Sequence, residues 1–281
     1  MSRRSVLITG CSSGIGHHCA HALAARGWQV IASARREYDV ARLREEGLQA
    51  VRIDLDDDRS IREGVEAALA LTGGRLYGLF NNAGYGQPGA VEDLSRDAMR
   101  AQFETNVFGT LEVTRRVLPA MRAAGEGRIL VNGSVLGLIA LPMRGAYNAS
   151  KFALEGLFDT LRLELHGSGI HVALIEPGPI ESRFRENARR RFHRWIDAEK
   201  SPWRDVYAAM ERRLAKPGPA APFTLGPEAV ARKVIHALES PRPRARYPVT
   251  FPAHLFATLR RLLPTALLDR VLLAVSRGEH S

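Results

Sequence analysis

Short apolar runs, rich in β-branched residues, alternate with longer stretches of helical periodicity along this chain. That alternation constrains its fold more than any single residue. Ser5-Val6-Leu7-Ile8-Thr9 reads as a buried strand, with a helix over 14–26 behind it. The pairing recurs as a strand over 28–32 with a helix over 38–46, and a strand over 50–54 with a helix over 59–71. A fourth strand over 76–80 leads into a long helical stretch over 95–124, which is expected to bend. A fifth strand over 128–132, a helix over 146–166 and a sixth strand over 171–175 complete the series. Strands of this length separated by helices pair in parallel, with helices on both faces. Right-handed crossovers then give an α/β doubly wound sheet of about seven strands, a Rossmann fold that takes its ligand at the carboxyl edge.

The 281 residues contain no internal repeat and no low-complexity linker, so residues 1–281 are read as a single domain. Pro-rich stretches at 217–222 and 241–248 read as loops around one more helix over 227–238. Residues 185–226 read as a lid inserted over the substrate side, and residues 250–281 as a helical extension. Two unpatterned cysteines, Cys11 and Cys19, argue against a disulfide framework and against a metal site. No secretory apolar segment follows Met1, so a cytoplasmic address is expected.

Location makes the net charge of +10 informative. Residues 185–216 hold ten Arg or Lys against five Asp or Glu, and residues 242–281 hold seven against two, so these segments carry the whole surplus. No zinc-finger or homeodomain-like pattern accompanies them, which argues against nucleic acid. An anionic substrate, a membrane surface or an acidic partner fits the charge. In the tail, Leu255, Phe256, Leu259, Leu262 and Leu263 form one apolar stripe, and Leu267, Leu268, Val271, Leu272 and Val275 another. Neither reaches the roughly 20 apolar residues of a membrane span. Two amphipathic basic helices are expected to pack over the substrate cleft or a subunit interface. Peripheral contact with an anionic bilayer is the alternative.

Thr9-Gly10-Cys11-Ser12-Ser13-Gly14-Ile15-Gly16 leaves the first strand and opens the first helix. Glycines permit a tight turn and close backbone approach, and a helix N-terminus offers free N–H groups to a pyrophosphate. The second strand ends in Ser33-Ala34-Arg35-Arg36 with no acidic residue at its end. An acidic residue there would suit the ribose hydroxyls of NAD, whereas arginine suits the 2′-phosphate of NADP. Arg35 is therefore expected to hold that phosphate, supported by Ser12 and Arg36. Farther on, Tyr147 and Lys151 stand at i,i+4 on one helix face, and Ser134 closes the fifth strand. A lysine ammonium beside a phenol would lower its pKa from about 10 and ready it for proton transfer.

Thr-Gly-x-x-x-Gly-Ile-Gly, Asn81-Asn82-Ala83-Gly84, Ser134, Tyr147-x-x-x-Lys151 and Pro177-Gly178 follow one another in an order and spacing that resembles the short-chain dehydrogenase/reductase family. The resemblance covers about residues 5–182 by motif, and the string over 148–157 is similar to the hydroxysteroid and retinol dehydrogenase branch. It implies an NADP(H)-dependent oxidoreductase in which Tyr147 is the general acid or base. Lys151 would clamp the nicotinamide ribose and tune Tyr147, Ser134 would bind the substrate oxygen, and Asn106 would place a water in the proton relay. It also implies that Asp54 and Leu55 contact adenine and that Asn82, Ala83 and Gly84 lie beside the adenosine ribose. Pro177, Gly178, Ile180 and Ser182 would orient the nicotinamide, with Ile and Ser where the family usually has Val and Thr. A homodimer or homotetramer is the family habit. The apolar residues after Ser134, among them Leu136, Leu141 and Met143, point to a small lipophilic carbonyl or alcohol substrate such as an aldehyde, retinoid or keto-steroid. A 3-oxoacyl thioester reductase, and a cofactor-binding sensor or scaffold without turnover, are the alternatives.

Overall fold

The computed structural model describes residues 4–215, 218–219 and 221–277. Its elements run β1 (Ser5–Ile8), α1 (Gly14–Ala25), β2 (Gln29–Ala34), α2 (Glu37–Glu45), β3 (Gln49–Arg52), α3 (Asp58–Leu71), β4 (Gly78–Asn81), α4 (Arg96–Phe103) and α5 (Gly109–Ala124). They continue with β5 (Gly127–Asn132), α6 (Gly145–Glu164), β6 (Ile170–Glu176), α7 (Phe184–Trp195), α8 (Arg204–Ala215), α9 (Pro227–Glu239), β7 (Arg246–Pro248), α10 (Phe251–Leu262) and α11 (Thr265–Arg277). The seven strands form one sheet in the order β3-β2-β1-β4-β5-β6-β7, and every pairing is parallel. The order reverses between β1 and β4, the switch point where such sheets open a crevice.

Why the strands read as unbroken apolar runs is clear from their two buried faces. Val6, Ile8, Val30, Ala32, Leu130 and Ala173 pack into the layer of α1 and α9. Leu7, Ile31, Ile129, Val131, Val172 and Leu174 alternate with them into the layer of α3, α5 and α6. Period-two alternation is present, but both faces are covered, so polarity does not reveal it.

The expected bend in the long helical stretch lies at Glu104–Phe108, a π-helical segment between α4 and α5 that holds Asn106. The seventh strand, β7, falls inside the Pro-rich stretch read as a loop. Three residues flanked by prolines carry too little pattern, yet Arg246 to Pro248 pair with Leu174 to Glu176. In the tail, Phe256, Leu268 and Leu272 bury against Val135, Leu136 and Ile139 beside the cleft, so part of each apolar stripe faces the protein, while Leu255, Leu262, Leu267 and Val275 stay exposed. No described helix is long and apolar enough to cross a membrane.

Candidate active site

The glycine loop is shaped by contacts that side chains would obstruct. Gly10 has φ +72°, and a Cβ there would sit 2.8 Å from Ala83 Cα. Gly16 faces Gly10 O and the Asn82 amide just as closely. Thr9 fastens the loop to the end of β4, its hydroxyl accepting from Asn82 N at 2.9 Å and Ala83 N at 3.0 Å. Asn82 Nδ2 in turn donates to Thr9 O at 2.9 Å. At the start of α1 the N-cap residue Ser13 makes no side-chain cap, and the first turn holds no acidic residue. The helix N-terminus is left to bind an anion from outside.

A cleft of about 490 Å³ opens over this loop, lined by Gly10, Ser12, Ser13, Gly14, Ile15, Arg35, Arg36, Asp54, Leu55, Asn82, Ala83 and Gly84. Four arginines from the other wall join them, Arg183, Arg190, Arg191 and Arg194. Arg36 donates to Tyr38 Oη at 2.6 Å, while the Arg35 guanidinium has no hydrogen-bond or ion-pair partner among the described residues. Asp39 lines the same cleft but is ion-paired with Arg42 at 3.2 Å.

A second cleft of about 1010 Å³ continues from the first, and Asn82, Asn132 and Ser182 line both. Its walls carry Ser134, Leu136, Leu141, Met143, Tyr147, Lys151, Pro177, Gly178 and Ile180, together with Phe184 and Phe256. Ser134 follows β5 by two residues in extended backbone, and its Oγ accepts from Leu136 N at 3.1 Å. One acceptor site is thereby filled and the hydroxyl proton is free to be donated. That hydroxyl faces the Tyr147 phenol and favours its ionised form. Phe184 packs edge-on against the Tyr147 ring, with centroids 5.4 Å apart. Met143 has φ +58°, a strained setting for a methionine, held where Gly89 N donates to its carbonyl at 2.9 Å.

The electrostatics differ from the sequence expectation. Burial pushes the Tyr147 phenol up to about 12, and only the Ser134 hydrogen bond opposes it. Lys151 lies on the same face, Nζ 5.6 Å from the Tyr147 ring centroid, but donates to Asn132 O at 2.6 Å. Burial lowers its own pKa to about 8, with Glu155 opposing. Both groups are desolvated together, and burial disfavours phenolate and ammonium alike. The i,i+4 spacing gives their proximity and says nothing of this.

Asn106 is buried in the π-helical segment, and its side chain is engaged. Its Oδ1 accepts from Tyr85 N at 3.1 Å, while Nδ2 donates to Tyr85 O at 2.9 Å and Ser150 Oγ at 3.1 Å. It therefore braces α6 beside Lys151, leaving only its backbone to face a relay.

This geometry accompanies a match of residues 4–192 to the short chain dehydrogenase family model. The chain belongs to the short-chain dehydrogenase family. It is 46% identical to the uncharacterized oxidoreductase YbbO of Escherichia coli (strain K12), over 96% of this chain and 94% of the relative. It is 35% identical to the human 17-beta-hydroxysteroid dehydrogenase type 1, over 93% and 81%. A short chain dehydrogenase/reductase from Burkholderia phymatum, solved in complex with NAD, superposes with TM-score 0.78 at 29% identity, covering 93% of this chain and 92% of that one.

Within this short-chain dehydrogenase, the residues selected by motif come together around the two clefts. Several neighbours escaped sequence reasoning. Asn132, the last residue of the expected fifth strand, holds Lys151, and its position two before Ser134 was the available signal. Thr250, whose hydroxyl accepts from Ala253 N at the start of α10, stands so close to Gly178 that any Cβ there would overlap it. The arginines of α7 were visible only as a charge run.

Proposed function

We propose that this short-chain dehydrogenase is an NADP(H)-dependent oxidoreductase that interconverts an apolar carbonyl compound and its alcohol. The observation that carries the reading is the Tyr147–Ser134 pair, placed where an arginine-lined cleft meets a large apolar one. The site fits the cofactor: the open N-terminus of α1 and the glycine cradle suit its pyrophosphate. Arg35, unpartnered at the end of β2, suits a 2′-phosphate, while Asp39, a carboxylate lining the same cleft, is already paired. Asp54 and Leu55 would border the adenine, Lys151 would hold the nicotinamide ribose, and Pro177, Gly178, Ile180 and Ser182 would flank the nicotinamide. Bound there, the nicotinamide supplies or accepts a hydride.

Tyr147 delivers the proton that neutralises a developing alkoxide, and takes it back in the reverse direction. Ser134 donates its hydroxyl hydrogen bond to the same oxygen and shares the charge. With its acidity weakened by burial, Tyr147 needs nearby positive charge to ionise, and Lys151 with the oxidised cofactor would provide it. Asn106 fixes the turn beside Ser150 and Lys151 from which a water could carry that proton away.

Leu136, Leu141 and Met143 in the wall of the 1010 Å³ cleft support a lipophilic substrate, as do relatives named hydroxysteroid and retinol dehydrogenases. Two further contacts belong to this reading. Leu111 on α5, with Phe152, Leu157 and Leu163 on α6, is exposed, which supports pairing of two copies through these helices. Phe223, Phe251 and Leu255 line the cleft and are exposed, which supports peripheral contact of the mouth with a lipid surface.

The test is oxidation of NADPH and NADH with aliphatic aldehydes, retinal, keto-steroids and 3-oxoacyl thioesters. Turnover with apolar aldehydes or ketones is expected, at least about tenfold better with NADPH, and Arg35→Asp should reverse that preference. Equal use of both cofactors contradicts the role of Arg35. Silence across the panel favours a cofactor-binding protein without turnover.

A further inference from the structure

Lys151 raises a problem that its own contacts do not solve. It is buried, and its ammonium donates to a neutral carbonyl, Asn132 O. A buried ammonium without a counter-charge tends to lose its proton. One turn along α6, on the same face, is a second buried charge, Glu155. Its carboxylate lies beneath the backbone that carries Ser134. A Cβ on Gly133 would come 3.1 Å from Glu155 Oε1, and one on Gly137 would come 3.2 Å from it. Glycine at these two positions leaves room for the carboxylate.

The other oxygen is held from an unexpected quarter. Arg246, on the three-residue strand β7, donates from Nη2 to Glu155 Oε2 at 2.5 Å. The same guanidinium holds Asp159 with bonds of 3.0 and 2.8 Å, and its Nε lies 3.0 Å from Glu176 Oε1. Glu176 ends β6 and precedes Pro177-Gly178 directly. One arginine thus ties the helix of Tyr147 and Lys151 to the strand that leads into the proposed nicotinamide loop. The charged groups around Glu155 are Lys151 and Asp159 on α6, Glu176 on β6 and Arg246 on β7. Arg162 pairs with Asp159, and Arg261 of α10 acts on Glu176. Glu155 Oε1 accepts no hydrogen bond among the described residues, so its charge is left to act on Lys151.

We infer that Glu155, fixed by Arg246, is a positioning residue that keeps Lys151 protonated and the Ser134 backbone in place. This rests on Lys151 as the ribose clamp. The account gives β7 a purpose in the site that sheet pairing alone does not. Burial works against ionisation of Glu155 and Arg246 works for it, so the guanidinium is what allows the carboxylate to serve.

The test is NADPH affinity against pH, read from reduced-nicotinamide fluorescence, which needs no turnover. In the wild type, affinity should hold at low pH and fall as Lys151 loses its proton near its lowered pKa of about 8. In Glu155→Gln that fall should begin about one pH unit lower, with affinity at pH 6 within a few-fold of wild type. Arg246→Lys keeps one charge but cannot grip both carboxylates, so it should shift the fall in the same direction by less. An unchanged midpoint in Glu155→Gln overturns the inference. If that variant does not fold, an unchanged midpoint in Arg246→Lys does the same. A wild type that binds NADPH with the expected midpoints but reduces no carbonyl contradicts the proposed reaction and leaves this inference standing.

Discussion

Tyr147 sits in a site that makes its own ionisation harder. Burial raises it to about 12, and the hydrogen bond from Ser134 recovers part of the shift. Its proton is therefore present throughout neutral pH, which suits a general acid in the direction of reduction. Tyr147→Phe removes that proton and little else, since the ring still packs against Phe184. Turnover should fall by roughly 100-fold or more, while NADPH affinity measured by fluorescence stays within a few-fold. A variant with near-normal turnover would remove Tyr147 from the mechanism. Legibility at this level was uneven. Tyr147, Lys151, Ser134 and the glycine loop stand in short local strings, where spacing alone brings side chains together. Asn132, Thr250 and Glu155 act across the fold through burial and carbonyl contacts, for which one sequence carries no periodic signature. The direction of the tyrosine shift is of the same kind, because desolvation depends on what else is packed nearby.

Among the elements, β7 shows how little sequence a functional strand needs. Six strands are readable because each carries a run of apolar residues, buried on both faces in the central strands such as β1. β7 has three residues beside prolines, and its pairing with β6 sets Arg246 among carboxylates. The π-helical segment was foreseen only as a bend, since no residue pattern distinguishes it from an ordinary helix interior. Glu176, at the junction of β6 and the Pro177 loop, gives this region a pH signature. Burial, reinforced by Glu155, raises its carboxyl from an ordinary 4.5 to about 7. A carboxyl that is more basic in the fold than in the unfolded chain favours folding at low pH. Its contribution is full below the unfolded value and is lost as pH rises through the folded one. Glu176→Gln should therefore flatten the decline in thermal midpoint between about pH 5 and pH 8, and melting curves across that range check it. A decline as steep as the wild type's would show that Glu176 is not the group responsible.

On the scale of the whole molecule, the surplus charge and the apolar tail meet around one opening. α10 and α11 bury Phe256, Leu268 and Leu272 against the loop after Ser134, so they close one side of the cleft. Phe251 and Leu255 remain exposed at its mouth, with Arg260 and Arg261 on the same helix. If this rim meets lipid, the intact protein should co-sediment with vesicles containing anionic phospholipid, less so at high salt. Exchanging Phe251 and Leu255 for serine should release it. Equal recovery with neutral vesicles, or none with either, would limit the tail to covering the cleft.

In the proposed reaction, hydride passes between a nicotinamide and an apolar carbonyl beside Tyr147. The direct measurement is deuterium transfer from NADPH carrying deuterium at both C4 positions to a long-chain aldehyde, read as the mass of the alcohol formed. The wild type should give singly deuterated alcohol, and Tyr147→Phe should give it far more slowly at similar cofactor occupancy. Unlabelled alcohol, or no alcohol from a folded protein saturated with NADPH across the carbonyl panel, would contradict the account.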